Sequence, residues 1–345
     1  MLLKDFDYTL PQSLIAQTPT NPRDHSRLFV YDRSTDTISH KSFFDIESYL
    51  SQGDVIVLNN TKVFPARLKG KKQTGGNVEV FLLQEKKPGI WQVMVGGAKR
   101  HEGDVIDFAE EFFCTLIKRE GDGETWVAEF DNKDVFWQHV EQYGQVPLPP
   151  YITDTSGEDK YQTVFAKENG SVAAPTAGLH FTDNLLDRLR DKGVIITEVT
   201  LHVGLGTFAP VTTDKITEHK MHAEWGVVSQ DTADLVNTAK KKGNKTIAVG
   251  TTSIRTLETF TEKDDLIAQS GWIDTFIYPG YEYKIVDGII TNFHLPKSTL
   301  LMLVAAFLAQ TKTPEVGVEI LHKLYKEAID EQYRFYSFGD AMLLL

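Results

Sequence analysis

Four histidines stand where a strand-like run gives way to a turn: His180, His202, His222 and His294. Histidine exchanges protons near neutral pH, so together they suit proton transfer better than any one alone. The run His219-Lys220-Met221-His222-Ala223-Glu224 offers histidines at i and i+3 and a carboxylate two residues further on. That spacing permits a carboxylate–imidazole pair or a metal-ligand set. It equally permits a loop whose histidines bond only to backbone, and the His-Glu-x-x-His zinc signature is absent. No Gly-x-Ser-x-Gly elbow occurs, and the single cysteine, Cys114, has no motif around it, so nucleophilic acyl transfer is unsupported.

Three glycine-bearing turns accompany these histidines. Ala173-Ala174-Pro175-Thr176-Ala177-Gly178-Leu179-His180-Phe181 places small residues and a hydroxyl before a helix start, where free N–H groups favour an anion. The plain alternative is an ordinary strand–helix turn. Val249-Gly250-Thr251-Thr252-Ser253-Ile254-Arg255 follows a strand, opens a helix and sets an arginine within reach of phosphate or carboxylate. It lacks the Gly-Lys-Ser/Thr of triphosphate hydrolases. Thr200 to Phe208 ends a strand in Gly204-Leu205-Gly206, but Pro210 stands where a dinucleotide fold needs its third glycine. In parallel sheets ligands sit at the carboxyl ends of strands, and all three turns fall there.

The elements that must hold these turns are legible in outline. Leu28–Tyr31 and Asp54–Leu58 read as strands, with a short helix over Phe43 to Leu50. From Val63 to about Gln145, six β-like runs begin at Ala66, Asn77, Ile90, Asp104, Phe112 and Thr125, the signature of an antiparallel barrel or sandwich. Val146-Pro147-Leu148-Pro149-Pro150-Tyr151 is a stiff exit. Helices capped by Thr182, Ser229 and Ser298, a helix near Ser253 and one from Pro314 then alternate with strands at 194–203, 245–249, 273–278 and 285–291. Such alternation implies a mainly parallel, helix-flanked sheet. The simplest architecture is an α/β domain, a mixed helix-flanked sheet formed by 1–62 and 146–345, with an antiparallel β-barrel inserted at 63–145.

Charge and composition narrow the partners. The 345 residues carry Lys+Arg 36 against Asp+Glu 48, a net charge of −12, which opposes indiscriminate coating of nucleic acid. A local basic stripe survives this balance: Lys62, Arg67, Lys69, Lys71 and Lys72 lie in one stretch without an acid. The alternative is a solvated strand edge, and the lysines at 240–242 read as a helix C-terminus complementing its dipole. Phe276-Ile277-Tyr278-Pro279-Gly280-Tyr281 could stack a base, though aromatics this dense belong more often to a core. One cysteine excludes an intrachain disulfide and suits a reducing cytoplasm. Leu300 to Ala309 is about half of a membrane span, so no membrane partner is expected.

Taken in order, these motifs resemble the S-adenosylmethionine:tRNA ribosyltransferase-isomerases of queuosine biosynthesis. The matching stretches are Asp54 to Leu68, Pro147 to Tyr151, Tyr161 to Val164, Ala173 to Phe181, Thr200 to Val211, His222 to Glu224, Ala248 to Glu258, Phe276 to Gly280, Thr291 to Leu300 and Tyr333 to Met342. Only the barrel interior, roughly 84–135, lacks a family pattern. The resemblance implies an α/β domain with an inserted barrel. It implies transfer and isomerisation of the ribosyl group of S-adenosylmethionine onto 7-aminomethyl-7-deazaguanine at the tRNA wobble position, giving epoxyqueuosine and releasing adenine and methionine. S-adenosylmethionine is then a co-substrate and tRNA the partner, with no metal, no membrane and a monomeric, cytoplasmic enzyme expected. Such chemistry needs an acid and a base, for which His222 with Glu224, or His180, are the candidates. Thr176, Gly178, Gly206, Thr207, Gly250, Thr251, Thr252 and Arg255 are candidates for holding the methionine carboxylate, the ribose or a tRNA phosphate. Lys62, Arg67, Lys69, Lys71 and Lys72 are candidates for the tRNA backbone. The rival readings are a metal-dependent hydrolase using His219, His222, Glu224 and His294, and a non-catalytic RNA-binding protein built on the barrel.

Overall fold

Runs of β-branched residues build the strands, and hydroxyl residues past the turns start many of the helices. The computed structural model describes residues 1–120, 125–131, 133–154, 160–204, 210–310 and 312–345. The chain divides into two units: Met1–Thr61, Pro150–Glu168 and Ala174–Leu345 form the first, Lys62–Pro149 and Asn169–Ala173 the second. The first begins with β1 (Arg27–Asp32), β2 (Thr37–Ser42) and β3 (Val55–Asn59). A short β4 (Thr61–Val63) precedes β5 (Arg67–Lys72), β6 (Asn77–Lys87), β7 (Ile90–Gly97), β8 (Val105–Ala109), β9 (Phe112–Glu120), β10 (Thr125–Phe130) and α1 (Phe136–Tyr143). Then follow β11 (Glu168–Ser171), paired with β4, α2 (Asp183–Asp191), β12 (Ile195–Leu201), β13 (Glu224–Val228), α3 (Gln230–Lys241), β14 (Thr246–Val249) and α4 (Gly250–Thr259). The chain continues through the small pair β15 (Thr261–Glu262) and β16 (Asp265–Leu266) to β17 (Gln269–Ile273), β18 (Gly288–Asn292), α5 (Thr299–Leu308), α6 (Pro314–Asp330) and β19 (Ala341–Leu344).

Among the described residues nine strands form the sheet of the first unit, in the order β17-β13-β12-β3-β14-β18-β19-β1-β2. β12, β3, β14 and β18 run parallel at its centre. Every residue of β3 is buried, as expected of a strand covered on both faces. The expected mixed, helix-flanked α/β class is borne out, but the sheet is less parallel than the alternation suggests. No α-helix lies between β12 and β13 among the described residues, and β13 returns antiparallel, as does β17 beside it. β19 is antiparallel to β18 and parallel to β1. The three expected caps are present: Thr182, Ser229 and Ser298 each accept a backbone N–H three residues on, at 3.2 Å. Leu185, Leu186 and Leu189 of α2 pack with Leu58, Phe43 and Phe181.

The short helix expected from Phe43 is present as a 3-10 helix, Phe43–Tyr49. Three elements differ from expectation for identifiable reasons. α4 starts at Gly250, directly off β14, because Gly250 takes φ +81°, which turns strand into helix without a loop. The strand expected at 273–278 ends at Ile273. Beyond it the carbonyls serve a side chain instead of a ladder: Arg255 donates Nη2 to Ile273 O (3.0 Å) and Nε to Thr275 O (3.2 Å). Likewise the strand expected from 285 begins at Gly288, because the N–H groups of Lys284, Ile285 and Val286 all donate to the buried Glu258 carboxylate.

The second unit is a closed antiparallel barrel, β10-β7-β6-β5-β8-β9. Alternate residues point inward, among them Val80, Leu82, Trp91 and Val93. The helix α1, unexpected from sequence, packs Phe136 on Trp91 with ring centroids 5.1 Å apart. Cys114 is buried in this core, and burial pushes its thiol up, far from thiolate reactivity. Among the described residues no helix is long and apolar enough to cross a membrane.

Candidate active site

The carboxyl ends of the central parallel strands carry the polar residues. At the end of β3, Asn59 accepts from Leu201 N and donates to Leu201 O, each at 3.0 Å, locking the end of β12 beside it. Thr61 Oγ1 then lies 2.9 Å from His202 Nδ1, and Thr200 donates to Asn60 Oδ1 at 2.8 Å. Burial lowers the proton affinity of His202.

The turn Thr176–His180 sits against the ends of β14 and β18. Thr176 donates to Asn292 Oδ1 at 3.0 Å, and Asn292 Nδ2 lies 3.2 Å from His180 Nε2. His180 Nδ1 lies 2.7 Å from Ser26 Oγ, and the ring stacks on Phe43. A Cβ on Gly178 would come within 2.6 Å of Phe165 Cζ, so only glycine fits that close approach. A Cβ on Gly250 would lie 3.7 Å from Ala177, which places the start of α4 beside this turn. At the end of β18, His294 Nε2 meets Thr291 Oγ1 at 2.8 Å, while its backbone N–H donates to Tyr325 and its carbonyl accepts from Tyr8.

Burial pushes His180 and His294 down to about 3 from the ordinary 6.5, with the charges of Arg334 and Arg23 adding to the effect at His180. Between those values the unfolded chain binds protons that the folded chain refuses, so stability rises with pH across that window. It should fall as the pH drops below about 6.5, by up to about 1.4 kcal/mol per pH unit for each histidine. Urea midpoints at pH 7 and pH 5 measure this, and His294→Gln should lessen the difference. An equal acid-side loss in that variant would show that other groups carry it.

Behind the ends of β12 and β14, Glu224 and Arg255 form a buried ion pair. Glu224 Oε1 also accepts from Gly204 N at 3.0 Å, fixing the backbone where β12 has just ended. Arg255 thus ties α4 to β13 and to the carbonyls beyond β17. Two residues before Glu224, His222 is exposed. His219 is half-buried with its ring 5.4 Å from Phe276, and its proton affinity is lowered by burial and by His222.

The motif match has a direct counterpart at the level of the whole sequence: the profile of the queuosine biosynthesis proteins covers residues 3–344. The chain belongs to this family. It is also similar to the crystal structure of an S-adenosylmethionine tRNA ribosyltransferase from Thermotoga maritima, at 37% identity and a TM-score of 0.57. That match covers 99% of this chain and 100% of the other. The resemblance read from the motifs is borne out, and with it an enzyme of this type.

Against that background the candidate residues sort by place. The fold brings Gly250, at the start of α4, against the turn that carries Thr176, Gly178 and His180, with Thr251 buried and Thr252 in the same first turn of α4. Glu224 and Arg255 are joined to each other. Gly206 and Thr207 lie outside the described residues. In the barrel, Arg67, Lys69 and Lys71 alternate along β5, with Arg67 3.7 Å from Glu79 and both lysines exposed. Lys62 is half-buried in β4. Lys72 pairs with Asp104 at 2.7 Å and donates to Lys99 O. Among the described residues no group of three or more His, Cys, Asp or Glu is placed to hold a metal, and His219, His222, Glu224 and His294 form no such group. Sequence reasoning missed Ser26, Asn292 and Tyr336, which complete the His180 network. Asn292 and Tyr336 stood inside matched motifs, whereas Ser26 had no local signal.

Proposed function

We propose that this enzyme transfers and isomerises the ribosyl group of S-adenosylmethionine onto 7-aminomethyl-7-deazaguanine in the tRNA anticodon, giving epoxyqueuosine with release of adenine and methionine. The observation that carries the reading is the end-to-end match to the queuosine biosynthesis family and to a solved S-adenosylmethionine tRNA ribosyltransferase. The sulfonium acidifies the adjoining ribose methylene, so a base can take a proton there. The carbanion opens the ribose ring and expels adenine, which an acid assists. The neutral aminomethyl group then attacks, and methionine departs.

His222 with Glu224 is proposed for the acid–base work, with His180 the alternative. Exposure of His222 favours it, since a proton carrier must meet substrate. Thr176, Gly178, Gly250, Thr251, Thr252 and Arg255, with Gly206 and Thr207, are proposed to hold S-adenosylmethionine. The division read from sequence, 63–145 against 1–62 with 146–345, is proposed as functional, the barrel contacting tRNA. We further propose a monomer acting in the cytoplasm. Adenine release that requires both tRNA and S-adenosylmethionine tests the activity. Release without tRNA, or none with both, would overturn it.

Lys69 and Lys71 project from β5 and are exposed. Replacing both with Glu should weaken tRNA binding and reduce the salt dependence by about one unit of slope per lost phosphate contact. Binding of S-adenosylmethionine should be unaffected. Filter binding across a salt series reads the effect, and an unchanged slope would remove these lysines from the tRNA surface.

A further inference from the structure

The bonds around His180 allow only one placement of their hydrogens. The Tyr336 carbonyl can only accept, so the Asn292 group 3.3 Å away is the amide nitrogen Nδ2. Asn292 Oδ1 therefore faces Thr176 and takes its hydroxyl hydrogen. The same Nδ2, which offers hydrogens alone, lies 3.2 Å from His180 Nε2, so that ring nitrogen carries a lone pair. The proton of the neutral ring is then on Nδ1, and Nδ1 donates to Ser26 Oγ at 2.7 Å. Phe43, stacked with centroids 5.0 Å apart, fixes the ring plane. Burial holds His180 in the neutral form that this arrangement needs.

One hydrogen in the chain remains unspent. Ser26 Oγ accepts from His180, so its own O–H must point elsewhere, and no second partner for it exists among the described residues. Ser26 is 2% exposed and lines a small pocket with Thr20, Arg23, His180, Ser337 and Gly339. Arg334 reaches the same edge through Thr20 and is paired with Asp340. Among the described residues the hydroxyl is therefore left to donate into this pocket, where the guanidinium charges of Arg334 and Arg23 disfavour a cation.

We propose that Ser26 is a substrate-binding residue that donates its hydroxyl hydrogen to an anionic oxygen, and that His180 is the positioning residue that orients it. The ligand chemistry is a carboxylate or phosphate oxygen. This rests on the reading above, in which the methionine carboxylate of S-adenosylmethionine and a tRNA phosphodiester both supply one. Acid–base duty then passes to His222.

Ser26→Ala, assayed by adenine release, separates the sources. The KM of one substrate should rise about ten- to a hundredfold, the usual effect of losing a hydrogen bond to a charged group, with kcat changed by less than about threefold. A rise for S-adenosylmethionine assigns the carboxylate. A rise for tRNA with a lower salt slope assigns the phosphate. His180→Asn, which keeps an N–H donor near the Nδ1 position, should recover part of the binding lost in His180→Ala and keep the wild-type pH–rate profile. Unchanged KM for both substrates in Ser26→Ala overturns the proposal, and so does loss of a pH limb in His180→Asn. Should Ser26→Ala not fold, Ser26→Cys, with its weaker donor, is read in the same way. Failure of the underlying reading shows separately, as a wild-type protein that releases no adenine with both substrates present.

Discussion

His222→Gln should slow adenine release by about 10²–10⁴-fold, the range expected when a positioned proton carrier is lost. The argument is one of access. His180 is buried with both ring nitrogens in defined bonds, His294 is buried with its Nε2 against Thr291, and His202 is held by Thr61. His222 is exposed on the segment leading into β13, two residues from the Glu224–Arg255 pair that anchors it. Its removal leaves the sheet and both units intact, so the loss should fall on kcat, with S-adenosylmethionine binding measured by calorimetry changing less than about threefold. Turnover within about threefold of wild type would exclude His222 from the proton transfers.

Arg255→Met should destabilise the first unit by about 3–5 kcal/mol, because it removes the countercharge of the Glu224 carboxylate inside the buried ion pair. Glu224 and Arg255 are 5% and 6% exposed, so water cannot replace the lost partner. The substitution also removes the donors to Ile273 O and Thr275 O, leaving the chain beyond β17 without its anchor. Adding Glu224→Met should restore part of the loss, since an apolar pair carries no orphaned charge. Urea unfolding monitored by far-UV circular dichroism gives the comparison. A double variant as unstable as the sum of the singles would mean the two side chains act independently.

What could be read before the structure was whatever neighbours in sequence decide. The caps at Thr182, Ser229 and Ser298 bond three residues ahead, and the barrel strands show their two-residue alternation in place. The strand limits near 273 and 288 were illegible, since Arg255 and Glu258, from a different helix, capture the backbone groups a ladder would use. β19, a run of Ala-Met-Leu-Leu, has no period to distinguish strand from helix tail. The site divides similarly. The glycines and hydroxyls of the Thr176 and Gly250 turns mark themselves by position next to helix starts. Ser26 and Asn292 acquire meaning only by meeting His180 across 154 and 112 residues of chain.

The pairing of Leu28 with Ala341, and of Tyr31 with Leu344, bears on how the polypeptide emerges from the ribosome. More than 300 residues must be synthesised before β1 meets β19, its neighbour towards the middle of the sheet, so until then the β1–β2 hairpin is severed from β18. The barrel, by contrast, is assembled almost wholly from 62–149 and can close while translation proceeds. Vectorial synthesis therefore leaves the apolar flank of β1, including Leu28, Phe29 and Val30, awaiting a late partner, the circumstance in which chaperone holding has most to protect.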